Sequence, residues 1–157
     1  MTVEKLYNYF KDQQVSPQWA PILRCMATEL TAQLSEQELH NLFFKIGHRL
    51  ALEMGADFEG LQTLSGLEEK VNDLWALMNW GWVEIKEAGD GMDVRHQCAP
   101  LAEGFGDDAM RWSVGLLEGF YQTLFYSLGA SDSLRVRIVG EPLAGMETYL
   151  RFGHHIP

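Results

Sequence analysis

The residues of this chain whose types and spacing can do chemistry are two histidine pairings and a small set of carboxylates. Glu36 and His40 stand one turn apart on any helix that contains both, and His154 and His155 are adjacent. Imidazole and carboxylate at such spacings can share a zinc ion, but a zinc site takes three or four protein ligands and no third falls at a suitable spacing. They read as a solvated ion pair and a terminal tail, and no metal is expected. Asp107 and Asp108 form a pair of acids, yet they precede a helical pattern, where the helix dipole favours negative charge and Asp108 can cap. Glu118 lies between Gly115 and Gly119. It can serve as an acid in a pocket, or more simply pair across helices with Arg111 or Arg151. A Gly-rich phosphate loop, a His-Glu-x-x-His pair and a Gly-x-Ser-x-Gly elbow are all absent from the sequence. The chain therefore reads as non-enzymatic and cofactor-free, with a hydrolase built on Glu118 and Asp107 as the residual catalytic reading.

Composition narrows the partners. Twelve Lys and Arg against twenty-two Asp and Glu give a formal charge of −10, which repels phosphate backbones and anionic lipid surfaces, so neither nucleic acid nor membrane insertion is expected. Glu4, Lys5, Lys11 and Asp12 interrupt any leader-like apolar run, and no eighteen apolar residues follow one another. A cytoplasmic location is expected. Cys25 falls on an apolar helical face, so Cys25 and Cys98 are read as two buried, reduced thiols.

The elements that must position these residues follow from periodicity. Val3 to Gln13 is amphipathic, with Leu6, Tyr7, Phe10 and the stem of Lys11 on one side. Ser16-Pro17 starts a second helix with the apolar stripe Trp19, Ile22, Leu23, Met26 and Leu30. Ser35 and Glu38 form a capping box for a third, which carries Leu39, Leu42, Phe43, Ile46, Leu50 and Met54 and stops at Gly55. A second capping box, Ser65 to Glu68, opens a helix with Leu67, Val71, Leu74, Trp75 and Met78 in register. Asn79 and Gly81 then end it, because both tolerate left-handed backbone, and the period drops from helical to two. Trp75, Trp80 and Trp82, three of five tryptophans, sit at this change and read as the centre of a core.

Beyond Trp82 the chain alternates. Val83 and Ile85 point one way and Trp82, Glu84 and Lys86 the other. Gly89-Asp90-Gly91 turns the chain into Met92, Val94 and His96, which share a face. Ala99 to Asp108 reads as a loop, Asp108 to Leu128 as a helix apolar nearly all round, and Leu134 to Val139 and Met146 to Phe152 as a second hairpin about Gly140 to Pro142. The expected fold is α+β: four N-terminal helices, then hairpin-helix-hairpin forming a four-stranded antiparallel sheet with a buried helix across it. The expected organisation is one domain over residues 1–157, with an N-terminal amphipathic segment (1–16), a helical part (17–78) and a sheet part (79–157). Gly115 and Gly119 weaken their helix by about 1 kcal/mol each relative to alanine. Close approach of another backbone is the natural compensation, either the sheet of the same chain or a second copy across a two-fold axis.

Three runs carry a family resemblance: Leu74 to Ile85 (Leu-Trp-Ala-Leu-Met-Asn-Trp-Gly-Trp-Val-Glu-Ile), Gly115 to Tyr121 (Gly-Leu-Leu-Glu-Gly-Phe-Tyr) and Thr148 to Arg151 (Thr-Tyr-Leu-Arg). Together they resemble the D subunit of bacterial cellulose synthase, over roughly Pro17 to Phe152. The resemblance implies a non-catalytic accessory subunit: a homo-oligomeric ring of eight made of four dimers, associated with the inner-membrane synthase complex. It also implies a central passage that helps order nascent glucan chains for export and crystallisation, while another subunit polymerises. N-terminal segments of that family face the passage. On this implication Lys5, Tyr7, Tyr9, Phe10 and Lys11 are the candidate glucan-contacting or partner-contacting residues, rings offering faces to sugars and ammonium groups offering donors to hydroxyls. The same side chains can instead dock the segment on its neighbour. A proline-rich accessory protein is a further implied partner, with Tyr7 or Tyr149 to receive it.

A reading from another class remains open. Hairpin, helix, hairpin, with Gly-Trp before the first strand, also looks like small-ligand-binding domains of regulatory and tethering proteins, although cysteines common in their C-terminal strands are missing here.

Overall fold

The computed structural model describes residues 2–141 and 147–155, apart from the side chains of residues 56 and 57. Seven α-helices and four strands are present among these residues. In chain order they are α1 (Val3–Gln14), α2 (Ala20–Gln33), α3 (Glu36–Glu53), α4 (Leu64–Met78), β1 (Trp82–Ala88), β2 (Gly91–Gln97), α5 (Leu101–Phe105), α6 (Met110–Ser113), α7 (Gly115–Ser127), β3 (Arg135–Ile138) and β4 (Glu147–Gly153). The strands form one antiparallel sheet in the order β1-β2-β4-β3, so the expected α+β class holds. Pro142 and Met146, expected in the second hairpin's turn and strand, lie outside the described residues.

Local signals explain most boundaries. The Ser35–Glu38 capping box forms in both directions, at 3.2 and 2.8 Å. Asn79 ends α4 in the left-handed region (φ 58°). Gly81 (φ 75°) follows, where a Cβ would stand 1.8 Å from the Gln97 carbonyl oxygen. Helix therefore passes to strand within three residues, and only glycine fits at the pivot.

Several expectations are corrected. Thr63, not Ser65, caps α4: its Oγ1 accepts from Gly66 N at 3.0 Å, and Glu68 instead accepts from Ile85 N at 2.8 Å. α2 begins at Ala20 rather than at Ser16-Pro17, and its inward stripe is Leu23, Ala27 and Leu30, with Trp19, Ile22 and Met26 left exposed. Cys25 is consequently exposed rather than buried, and Cys98 is half-buried, though both thiols are free. The loop after β2 contains α5, and the single helix expected from Asp108 to Leu128 breaks at Val114 into α6 and α7. Asp108 caps neither piece.

α7 is buried on opposite sides, with α3 over one and the sheet under the other. Phe125 meets Phe152 at 4.7 Å between ring centroids and Tyr121 meets His96 at 6.0 Å. The backbone lying against Gly115 and Gly119 is that of α3 in the same chain, not the sheet. A Cβ on Gly115 would lie 2.6 Å from His40 O, one on Gly119 2.0 Å from Phe44 O, and one on Gly47 of α3 1.9 Å from Leu116 O. Glycines on both helices let the two axes approach, and His40–Glu118 and His48–Thr123 hydrogen bonds (3.2 and 2.7 Å) join them.

Both edges of the sheet are occupied by side chains. Asn72 of α4 grips Val83 on β1, donating from Nδ2 to its carbonyl at 2.9 Å and accepting its N–H at 2.7 Å. Glu68 takes the next outward amide, and Gln122 of α7 accepts from Val136 N on β3 at 3.1 Å. These particular backbone groups, which would otherwise offer themselves to a further strand, are satisfied.

Candidate functional site

α1 buries no residue, and its attachment is polar. Gln14 Nε2 donates to Cys98 O at 2.6 Å and to Asn79 O at 3.3 Å, and Lys11 pairs with Glu103 of α5 at 3.3 Å. These bonds hold the helix against the α4–β1 junction and leave a mostly apolar groove of about 510 Å³ between them. Leu6, Tyr7 and Phe10 form one wall, and Trp75 and Trp82 stand on the other.

The five sequence-derived residues divide here. Tyr7, Phe10 and Lys11 line the groove, whereas Lys5 and Tyr9 do not. Lys5 is exposed at the helix start, where its amide is capped by Thr2 Oγ1. Tyr9 is exposed and meets Phe10 edge-on at 5.5 Å. Lys11 Nζ also lies 5.9 Å from the centre of the Tyr7 ring. Burial, helped by Glu103 and Cys98, pushes the Tyr7 phenol up to about 12. It therefore stays neutral and keeps its O–H as a donor at physiological pH. Burial likewise raises the Cys98 thiol.

Trp82, expected in the core, is 47 % exposed. The signal for this was present: Trp82 shares the outward alternation of Glu84 and Lys86, opposite Val83 and Ile85. Trp75 does lie in the core, and half-buried Trp80 stacks against it at 5.7 Å between ring centroids. Trp112 is buried as well.

A buried polar chain lies beneath the groove. Trp75 Nε1 donates to Tyr121 Oη at 3.0 Å, Tyr121 donates to His96 Nδ1 at 2.6 Å, and His96 Nε2 donates to the Trp80 carbonyl at 2.7 Å. A carbonyl only accepts, so Nε2 carries a proton, and because burial disfavours the charged ring Nδ1 is left as the acceptor for Tyr121. Burial holds the His96 imidazolium down at about 4.

The remaining candidates separate from one another. Glu118 is buried and pairs with His40 at 3.2 Å, not with Arg111 or Arg151. The hydrogen bond His40 donates to Glu118 is the main reason His40 is raised above its ordinary value. Arg151 binds Asp93 and Asp90 instead, at 3.0 and 3.4 Å. Asp107 lines a different, exposed groove, so the carboxylates do not converge as a hydrolytic pair. His155 bonds the Arg135 carbonyl at 2.9 Å. Among the described residues no group of three metal-binding side chains exists. Tyr149 is exposed, but its hydroxyl donates to Glu147 at 2.5 Å and its ring lies 5.0 Å from the Arg95 guanidinium.

Known proteins are similar in sequence to this chain over about two thirds of its length. Two relatives, each described as cellulose synthase operon protein D, come from Komagataeibacter xylinus and Komagataeibacter sucrofermentans. Each is 24% identical over 107 residues, covering 67% of this chain and 67% of the relative. The family profile of the cellulose synthase D subunit matches residues 5–152, which takes in α1 as well as the region after Pro17. The chain belongs to the family of cellulose synthase D subunits.

Proposed function

We propose that this chain is a non-catalytic accessory subunit of a bacterial cellulose synthase complex, assembled as a ring of eight from dimers. In this reading the α1 groove guides glucan chains. The observation that carries it is the groove itself: Tyr7 and Phe10 on one wall face Trp82 on the other, with Lys11 among the lining residues. Pyranose rings present apolar C–H faces and a girdle of hydroxyls. Aromatic faces with a few donors are the chemistry that holds them loosely enough to let a chain slide. Family membership gives the chain its place in the cellulose synthase system. No helix among the described residues is long and apolar enough to cross a membrane, so attachment to an inner-membrane synthase from the cytoplasmic side would run through protein contacts. The exposed apolar side chains of Trp19, just before α2, and of Ile22 and Met26 on it supply surface that assembly would cover.

The test replaces Tyr7, Phe10 and Trp82 together by alanine in a cellulose-producing cell, with the variant's solution mass as a control. The expected outcome is unchanged mass with cellulose reduced in yield or crystalline order. Normal cellulose from an intact assembly sinks the glucan contact. A groove this apolar also suits a small ligand, so a native mass spectrum showing a bound molecule on a dimer would favour the small-ligand-binding reading instead.

A further inference from the structure

A second cavity, of about 520 Å³, opens beside the α3–α7 crossing and has the opposite character from the α1 groove. Arg111, Arg135 and Arg137 line it with His40, Gln122 and Phe44. These are three of the chain's seven arginines, converging in a protein of formal charge −10. Of the other four, Arg95 holds Glu84 and Glu147 and Arg151 holds Asp90 and Asp93, while Arg24 reaches the Ala102 and Glu103 carbonyls and Arg49 pairs with no acid among the described residues. None of the three groove arginines pairs with a carboxylate among the described residues. Arg111 has no hydrogen-bond partner among them, and Arg137 reaches only the neighbouring Val136 carbonyl at 3.3 Å. Arg135 is turned to the Tyr126 hydroxyl and to the Asp132 and Leu134 carbonyls. Glu36 is the single carboxylate in the lining, and Glu118 Oε1, behind it, is engaged by His40.

Three guanidinium groups against one carboxylate leave the lining net positive, and the planar guanidinium fork matches phosphate oxygens in pairs. Gln122 uses its oxygen on Val136, and its NH₂ has no partner among the described residues. Half-buried Phe44 adds an apolar face beside these donors. The volume is that of a small-molecule site. We propose that this groove binds a phosphate-bearing small molecule, with the phosphate on Arg111, Arg135 and Arg137 and the organic part against Phe44. A lipid headgroup shares the phosphate chemistry, but the chain's overall negative charge opposes approach to an anionic bilayer.

The test titrates the full-length protein by calorimetry with inorganic phosphate, pyrophosphate and adenosine monophosphate, and by sedimentation with phosphatidylglycerol vesicles. The Arg111→Gln/Arg137→Gln variant changes two exposed side chains and leaves Arg135, which ties down its own loop. Arg49→Gln, outside the groove, is the control. The expected result is saturable binding of at least one soluble phosphate, weakened about tenfold or more in the double variant and unchanged in the control. Absence of saturable binding, equal affinity in the double variant, or binding confined to vesicles would each overturn the proposal.

Discussion

His96 is the residue on which the core's polar chemistry turns. Its folded-state value near 4 lies below the ordinary 6.5, so between those values the unfolded chain binds a proton that the folded chain excludes. Stability contributed by the neutral, hydrogen-bonded ring is complete above pH 6.5 and is lost as pH falls toward 4, about 3 kcal/mol over the whole window. His40 acts with the opposite sign: raised by Glu118, it stabilises below its ordinary value and loses that contribution as pH rises. Urea unfolding of the native chain and of His96→Asn across this range isolates the first effect. The native curve is expected to fall more steeply toward acid, and parallel curves would contradict the neutral-ring account. For the second, an NMR titration of the His40 ring should give a lower midpoint in Glu118→Gln than in the native chain. Sequence showed that His96 shares an inward face with Met92 and Val94, but not that Tyr121, 25 positions away, would meet it. Glu118 was noticed for its place between two glycines, while its partner could be found only once α3 was laid across α7.

At the scale of elements, the α3–α7 crossing and the guarded sheet edges are what hold the layers in place. Adding a methyl at Gly119 drives a Cβ to 2.0 Å from the Phe44 carbonyl oxygen, and relief requires the helices to separate. Gly119→Ala is expected to cost about 2 kcal/mol or more by chemical denaturation. Gly55→Ala, which meets nothing within 4 Å, should stay within about 0.5 kcal/mol. Asn72→Ala leaves the Val83 amide and carbonyl without their side-chain partners and should cost about 2 kcal/mol. Capping at Ser35, the stop at Asn79 and the first hairpin were legible because each depends on residues a few positions apart. Thr63 and Ser65 are equally able to cap, and the choice between them followed from Glu68 being needed at β1. The stripe of α2 was misread because Trp19, Ile22 and Met26 obey helical spacing as well as Leu23, Ala27 and Leu30 do. Periodicity marks an apolar face without saying whether this chain or another covers it. Gly47 carried no signal until its counterpart helix was known.

For the whole molecule, the fold class was readable from the order of periods, and the family from three short runs. The groove was half readable: α1 offered its rings in sequence, but the facing wall required the β1 alternation to be combined with the path of α4. Assembly belongs to this scale too. With side chains bonded to part of each sheet edge, strand pairing between copies is disfavoured, and the exposed face of α2 is the surface expected to be covered. Light scattering at low micromolar concentration should give about eight times the 17.8 kDa chain mass, falling to smaller species in Trp19→Glu/Met26→Glu; a native chain that runs as a monomer or dimer would refute the ring. The most direct test of the account's centre, the glucan groove, is a titration of the assembled protein with a soluble cello-oligosaccharide, followed by tryptophan fluorescence. The account predicts a saturable change that disappears in Trp82→Phe/Tyr7→Ala, whereas a flat titration, or one equally strong in that variant, would contradict it.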